Sequence, residues 1–148
     1  MFGGWLLSIA LIAPNLAWVL APMRVPPIVA RDHGLAHRAE GGARIAVFTL
    51  PWLYTFHRET LADRAALVVI VAALLAYYAA WVRYFRGGRR YRLLFAPAGP
   101  LPVPLALAPC VALAAGALAL HSVPLAAATL LFALLHVRSS LRAAASCS

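Results

Sequence analysis

Acidic residues are nearly missing from this chain, and lysine is missing altogether. Four Asp and Glu stand against thirteen cationic side chains among 148 residues, and all thirteen are arginine. Charged residues make up 11% of the sequence and apolar ones 64%, with a mean hydropathy of +0.85. Soluble domains run at roughly 25% charged and 45–50% apolar residues. So few charges exclude an ordinary water-soluble domain, because a chain this short has too small a core to absorb the surplus apolar surface. The surplus is expected to face lipid. Cysteine is as scarce. Cys110 lies in an apolar run and Cys147 one residue from the last position, with no CxxC pair, which excludes a disulfide framework and a zinc knuckle. No Ser/His/Asp arrangement, P-loop, GxGxxG or HExxH is present, so no cofactor and no metal are implied. The net charge of +9 would point to nucleic acid in a soluble protein. Here the arginines fall in short segments between apolar runs, and no nucleic-acid partner is expected.

What the sequence does have is five apolar stretches. The first, 2–21, is interrupted only by Pro14 and Asn15. Met1–Gly4 carries no positive charge and Pro22 follows the small-residue site, so the segment reads as a retained helix rather than a cleaved leader. The second, 35–56, is clean only from Ile45 and is weakened by Gly41, Gly42 and Pro51. The third, 65–85, holds one charge, Arg83, and ends in Tyr77, Tyr78, Trp81, Tyr84 and Phe85, as an interfacial aromatic belt does. From Leu93 to Val137 no charged residue occurs. His121-Ser122-Val123-Pro124 divides that run into 101–120 and 123–140, a helical hairpin. Each stretch approaches the roughly 20 residues that cross a bilayer. The expected fold is all-α, a single transmembrane helical bundle of about five spans with no soluble domain.

Orientation follows from the arginines. Five spans place four arginines of 22–44, five of 83–92 and two of the tail on one side, eleven in all, and leave only Arg58 and Arg64 on the other. By the positive-inside rule the C-terminus is cytoplasmic and the N-terminus outside, in a cell membrane.

Within this frame a few residues stand out for chemistry. Glu40, near the hydrocarbon boundary, is the candidate catalytic group, a proton donor or carrier. Intramembrane ionisable groups are costly unless paired and often mark sites. It also stands four residues before Arg44, so a plain helical ion pair is the alternative. Asn15 follows Pro14, whose missing N–H frees a carbonyl that an amide could satisfy; it reads either as structural glue or as a ligand contact. Tyr77, Trp81 and Tyr84 share a helical face and could line an apolar pocket or form the aromatic belt. Arg86, Arg89 and Arg90, with Arg92, could clamp a phosphate headgroup or serve as topology signals. His33, His37 and Glu40 at i, i+4, i+7 form a conceivable ligand set, which Gly34, Arg31 and Arg38 oppose. His121 and His136 read as unpaired, near opposite interfaces.

The strings Pro14-Asn15-Leu16 and Pro26-Pro27, then Arg83-Tyr-Phe-x-Gly-Gly-Arg-x-Tyr-x-Leu-Leu-Phe-x-Pro97 and Pro102-x-Pro104, resemble a group of small bacterial integral membrane proteins with no established activity. The resemblance spans most of the chain and is most specific at 83–97. It implies a polytopic helical fold and carries over no catalytic or binding residue.

Two functions fit these features. One is a membrane-embedded enzyme or binding protein for a lipophilic, isoprenoid or lipid-like molecule. Its site would lie at the cytoplasmic third, between the second and third helices. The other is a non-catalytic subunit or small transporter component that works as a homo-oligomer or with a partner membrane protein.

Overall fold

The computed structural model describes residues 3–21, 34–99 and 102–145. Phe2, residues 22–33 with Pro26, Pro27 and His33, Leu101 and Cys147 lie outside the described residues. Among those described, all regular structure is helical apart from isolated bridge positions, Gly3 with Thr55 among them.

Six helices follow one another: α1 (Trp5–Leu20), α2 (Leu35–Thr49), α3 (Leu61–Arg86), the single turn α4 (Arg92–Phe95), α5 (Pro104–Ala119) and α6 (Val123–Ala145). Two of them, α3 and α6, are long and apolar enough to cross a membrane. At 26 and 23 residues they rise about 39 and 34 Å. The second stretch ends earlier than its apolar run suggests. α2 stops at Thr49 and passes into a 3-10 turn, Leu50–Leu53, because Pro51 supplies no N–H to continue the α-helical ladder.

α3 starts on a capping box. The Thr60 hydroxyl accepts from the Asp63 N–H at 3.1 Å, and the Asp63 carboxylate accepts from the Thr60 N–H at 2.9 Å. It ends through two left-handed residues, Gly88 (φ 83°) and Arg89 (φ 58°). The chain then folds back, because Arg83 donates from its two terminal nitrogens to the carbonyls of Ala96 and Pro97. The α5–α6 hairpin turns on His121 (φ 50°), and the Ser122 hydroxyl caps α6 by accepting from Leu125 N–H at 3.3 Å.

The core forms where small residues let helices close. Ala66, Ile70, Ala73, Tyr77, Ala80, Trp81 and Tyr84 of α3 are buried at three- and four-residue spacing. They pack along α5, whose buried face is mostly Ala with Gly116. A Cβ on Gly116 would come within 2.4 Å of Leu7 Cδ2, which shows how closely α1 crosses α5 there. α2 packs along α6 rather than along α3. The expected α2–α3 neighbourhood is thus replaced by two pairs, α3/α5 and α2/α6. The small-residue faces of α3 and α5 are complementary, and α2 is left to cover α6.

Three segments meet at one end of the molecule: Gly4 N–H donates to Tyr54 O at 2.9 Å and His57 N–H to Ala119 O at 2.8 Å. Among the described residues, the end of α3 with Arg83 and Arg86, the α4 turn and the Glu40–His136 contact of α2 with α6 lie toward the other end.

Candidate functional site

Between the two helix pairs, toward the arginine-rich end, lies a cavity of about 420 Å³, within the range of small-molecule sites. Its walls are mainly apolar: Leu11 and Trp18 of α1, Phe48 of α2, Trp81 of α3 and Phe132 of α6, with Leu94 and Phe95 of α4 alongside. α4 reaches it because Arg83 anchors the chain that follows, at Ala96 and Pro97.

One polar group of residues stands at this cavity. Glu40 is only 8% exposed, and its Oε1 accepts from Arg44 Nη2 at 2.7 Å and meets His136 Nδ1 at 2.9 Å. Arg44 and His136 both line the cavity, with Glu40 behind them. The His136 ring stacks on Phe132, with centroids 4.7 Å apart and planes 13° apart, and Arg44 Cζ lies 6.0 Å from the centre of that same ring. The imidazole is therefore held by its edge and by one face.

A second polar group lies on the α1 wall. Asn15 Nδ2 donates to Leu11 O and to the Tyr77 hydroxyl, both at 2.9 Å, and Tyr77 donates to Leu11 O at 3.2 Å. The carbonyl left open by Pro14 is that of Ala10, four residues back. Tyr78, not Asn15, satisfies it, its hydroxyl donating at 2.9 Å.

Of the residues singled out in the sequence, Asn15, Arg44, Tyr77 and Trp81 converge on the cavity and Glu40 stands directly behind it. Tyr84 is fully buried against Trp81 and Phe85 and does not reach the cavity. Arg86, Arg89 and Arg90 do not line it either. His37 is exposed and Glu40 is engaged by Arg44 and His136, while His33 lies outside the described residues. Among the described residues no three His, Cys, Asp or Glu side chains draw together as a metal site. His136 is the participant that sequence reasoning missed. Its one signal was a titratable side chain inside the otherwise apolar stretch 123–137.

The opposite end carries a second acid–imidazole pair. Asp63 Oδ1 meets His121 Nε2 at 2.8 Å, and the His121 ring stacks on His57 with centroids 4.1 Å apart. Asp63 precedes the apolar 65–85 stretch. The His121 contact and the Thr60 N–H hold its carboxyl down at about 2.

Comparison with protein families, with curated proteins and with solved structures finds no match for this chain.

Proposed function

We propose that this is a membrane-embedded protein of five spans that binds a lipophilic, isoprenoid- or lipid-like molecule in the cavity beside Arg44 and His136, near the cytoplasmic face, as an enzyme or a binding protein. The single observation that carries the reading is the cavity itself, apolar over most of its wall with two compact polar groups, Arg44 with His136 and Asn15 with Tyr77.

The membrane setting is supported from the outside of the bundle. Large aliphatic side chains stand exposed in mid-helix, among them Ile9, Val68, Leu75, Val111 and Leu130. Water would penalise so broad an apolar surface. α3 and α6 have spanning length. α1 and α5, at 16 residues each, rise about 24 Å, and local thinning of the bilayer accommodates such a shortfall at modest cost. The arginine split orients the C-terminus to the cytoplasm. A C-terminal alkaline phosphatase fusion should accordingly be silent and a C-terminal fluorescent protein bright.

The binding reading is tested with a diazirine-bearing prenyl methyl ether on the purified protein in phosphatidylcholine nanodiscs. Labelled peptides should come from the walls, Phe48 and Phe95 among them. Ala106 of α5 lines the cavity, and Ala106→Trp, which fills it, should abolish labelling without unfolding the protein. Labelling that survives Ala106→Trp would remove the proposal.

A second reading, an oligomeric subunit or transporter component, is favoured by an open apolar groove of about 790 Å³ along α5 and α6, lined by Ala114, Leu118, Ala126, Leu130 and Ala133. Native mass spectrometry from detergent separates the two: a stable dimer or larger species supports the subunit.

A further inference from the structure

We propose that the cavity selects a lipophile whose head is uncharged and donates a hydrogen bond, a hydroxyl, and that His136 Nε2 receives it. The inference deepens the binding reading above and rests on it.

Three observations bear on the head. The first is charge. Among the described residues Arg44 is the one charged side chain on the cavity wall, and its guanidinium is already tied to Glu40 at 2.7 Å. One carboxylate balances one guanidinium, so the cluster is neutral when His136 is neutral. The arginines that could have received a phosphate, Arg86, Arg89 and Arg90, do not line the cavity. An anionic head would meet no uncommitted cation among the described wall residues, and a charge left unpaired in an apolar site is strongly disfavoured.

The second is the tautomer. An ionised carboxylate only accepts hydrogen bonds, so the His136 Nδ1 at 2.9 Å from Glu40 must carry the hydrogen. In the neutral ring Nε2 then holds a lone pair. No described residue donates to Nε2, and His136 lines the cavity. Glu40 is thus a positioning residue that acts through His136, as second-sphere carboxylates do for other imidazoles.

The third is the α1 wall. Both amide hydrogens of Asn15 are used, on Leu11 O and on the Tyr77 hydroxyl. Leu11 O can only accept, which settles the orientation of the amide and leaves Asn15 Oδ1 as an acceptor. Tyr77 spends its own hydrogen on Leu11 O. Ser140, a turn beyond His136, adds a hydroxyl able to give or accept. The open acceptors are His136 Nε2 and Asn15 Oδ1, while the indole N–H groups of Trp18 and Trp81 on the same wall have no partner among the described residues. A hydroxyl, which both gives and accepts, suits such a mixed set.

The experiment uses the same photoprobe, which has no donor, in nanodiscs, with farnesol, farnesyl methyl ether and farnesyl phosphate as competitors. Farnesol should displace the probe about fivefold better than its methyl ether, the worth of one net hydrogen bond, and better than the phosphate. His136→Phe keeps a ring for Phe132 to stack on and removes Nε2. It should erase the difference between farnesol and the ether, with its thermal unfolding in the nanodisc compared with wild type as the check on folding. Glu40→Gln frees Arg44 of its counter-charge and should raise the standing of farnesyl phosphate relative to farnesol. Preference of the wild-type protein for the phosphate, or a farnesol advantage that survives His136→Phe, would overturn the hydroxyl inference and leave the cavity reading intact. Labelling unaffected by Ala106→Trp would overturn the cavity reading instead.

Discussion

Each end of this molecule holds an acidic side chain against an imidazole at nearly the same distance, 2.9 Å for Glu40 and His136 and 2.8 Å for Asp63 and His121. Their surroundings differ. Asp63 is committed on both oxygens: Oδ1 to His121 and Oδ2 to the Thr60 N–H that opens α3. His121 itself is half exposed and occupies the left-handed turn between α5 and α6. Every part of that pair has a task in ending or starting a helix. Glu40 and His136 cap nothing. They lie in the interiors of α2 and α6, and the free edge of the imidazole opens on a cavity. An acid–histidine contact therefore does not by itself mark a site. What separates the two is whether the backbone needs the acid.

The sharpest disturbance of the cavity end should come from Phe132→Ala. The ring is 3% exposed, carries the His136 stack and forms part of the cavity wall. Loss of a buried aromatic costs about 3–5 kcal/mol. Denaturant unfolding in detergent should show a loss of that order, with prenyl labelling lost as well. A stability loss without any change in labelling would detach Phe132 from the site.

At the far end Asp63→Asn should lower thermal stability and leave labelling and head preference untouched, the reverse of Glu40→Gln. The pH dependence gives a second signature. A carboxyl held down to about 2 in the folded protein contributes stability above its unfolded value near ~3.9 that disappears as pH falls through about 2. The wild-type melting temperature should therefore decline across that acid window, and Asp63→Asn should flatten the decline. An equal slope in both proteins would mean that Asp63 is not the group responsible. Thr60→Ala, which removes only the hydroxyl side of the capping box, should cost about 1 kcal/mol, read by the same unfolding titration. Its effect should be smaller than that of Asp63→Asn, because the aspartate also carries the tie to α5–α6.

Much of the fold was legible because helices in apolar runs are set by local pattern. Runs expected at 2–21, 65–85, 101–120 and 123–140 correspond to α1, α3, α5 and α6, and the His121–Pro124 break is the hairpin turn. The Glu40–Arg44 contact was legible for the same reason, since i and i+4 are neighbours on any helix. What escaped were features set by distant packing. The Glu40–His136 contact joins residues 96 apart, and no spacing rule reaches that far. The pairing of α2 with α6 depends on which faces carry small residues after α3 and α5 have closed. The arginines at 86, 89 and 90 looked like ligands because they follow the aromatic end of α3, yet the residues of that region that line the cavity are Leu94 and Phe95 of α4. The short α4 helix has too few residues to leave a periodic signal.

The smallest expected effect asks whether the α1 wall of the cavity is structural in the way the Asp63 end is. Pro14 deprives the Ala10 carbonyl of its helical partner, and the Tyr78 hydroxyl donates to it at 2.9 Å. Tyr78→Phe should cost about 0.5–1 kcal/mol, the net worth of one hydrogen bond, with no change in head preference, since Tyr78 does not line the cavity. The mechanism makes a stricter demand in a double-mutant cycle. With Pro14→Ala a backbone N–H returns at position 14 and can bond the Ala10 carbonyl directly. Tyr78→Phe should then cost almost nothing. If it costs as much in that background as in the wild type, the hydroxyl is not replacing the missing N–H, and the contact between α1 and α3 owes its strength to the packing of the ring. The neighbouring Tyr77→Phe provides the contrast. It removes a hydroxyl that donates to Leu11 O and accepts from Asn15, so its cost should persist when Pro14 is replaced. It should also loosen Asn15 at the cavity wall, which labelling can detect and the Tyr78 variant should not reproduce.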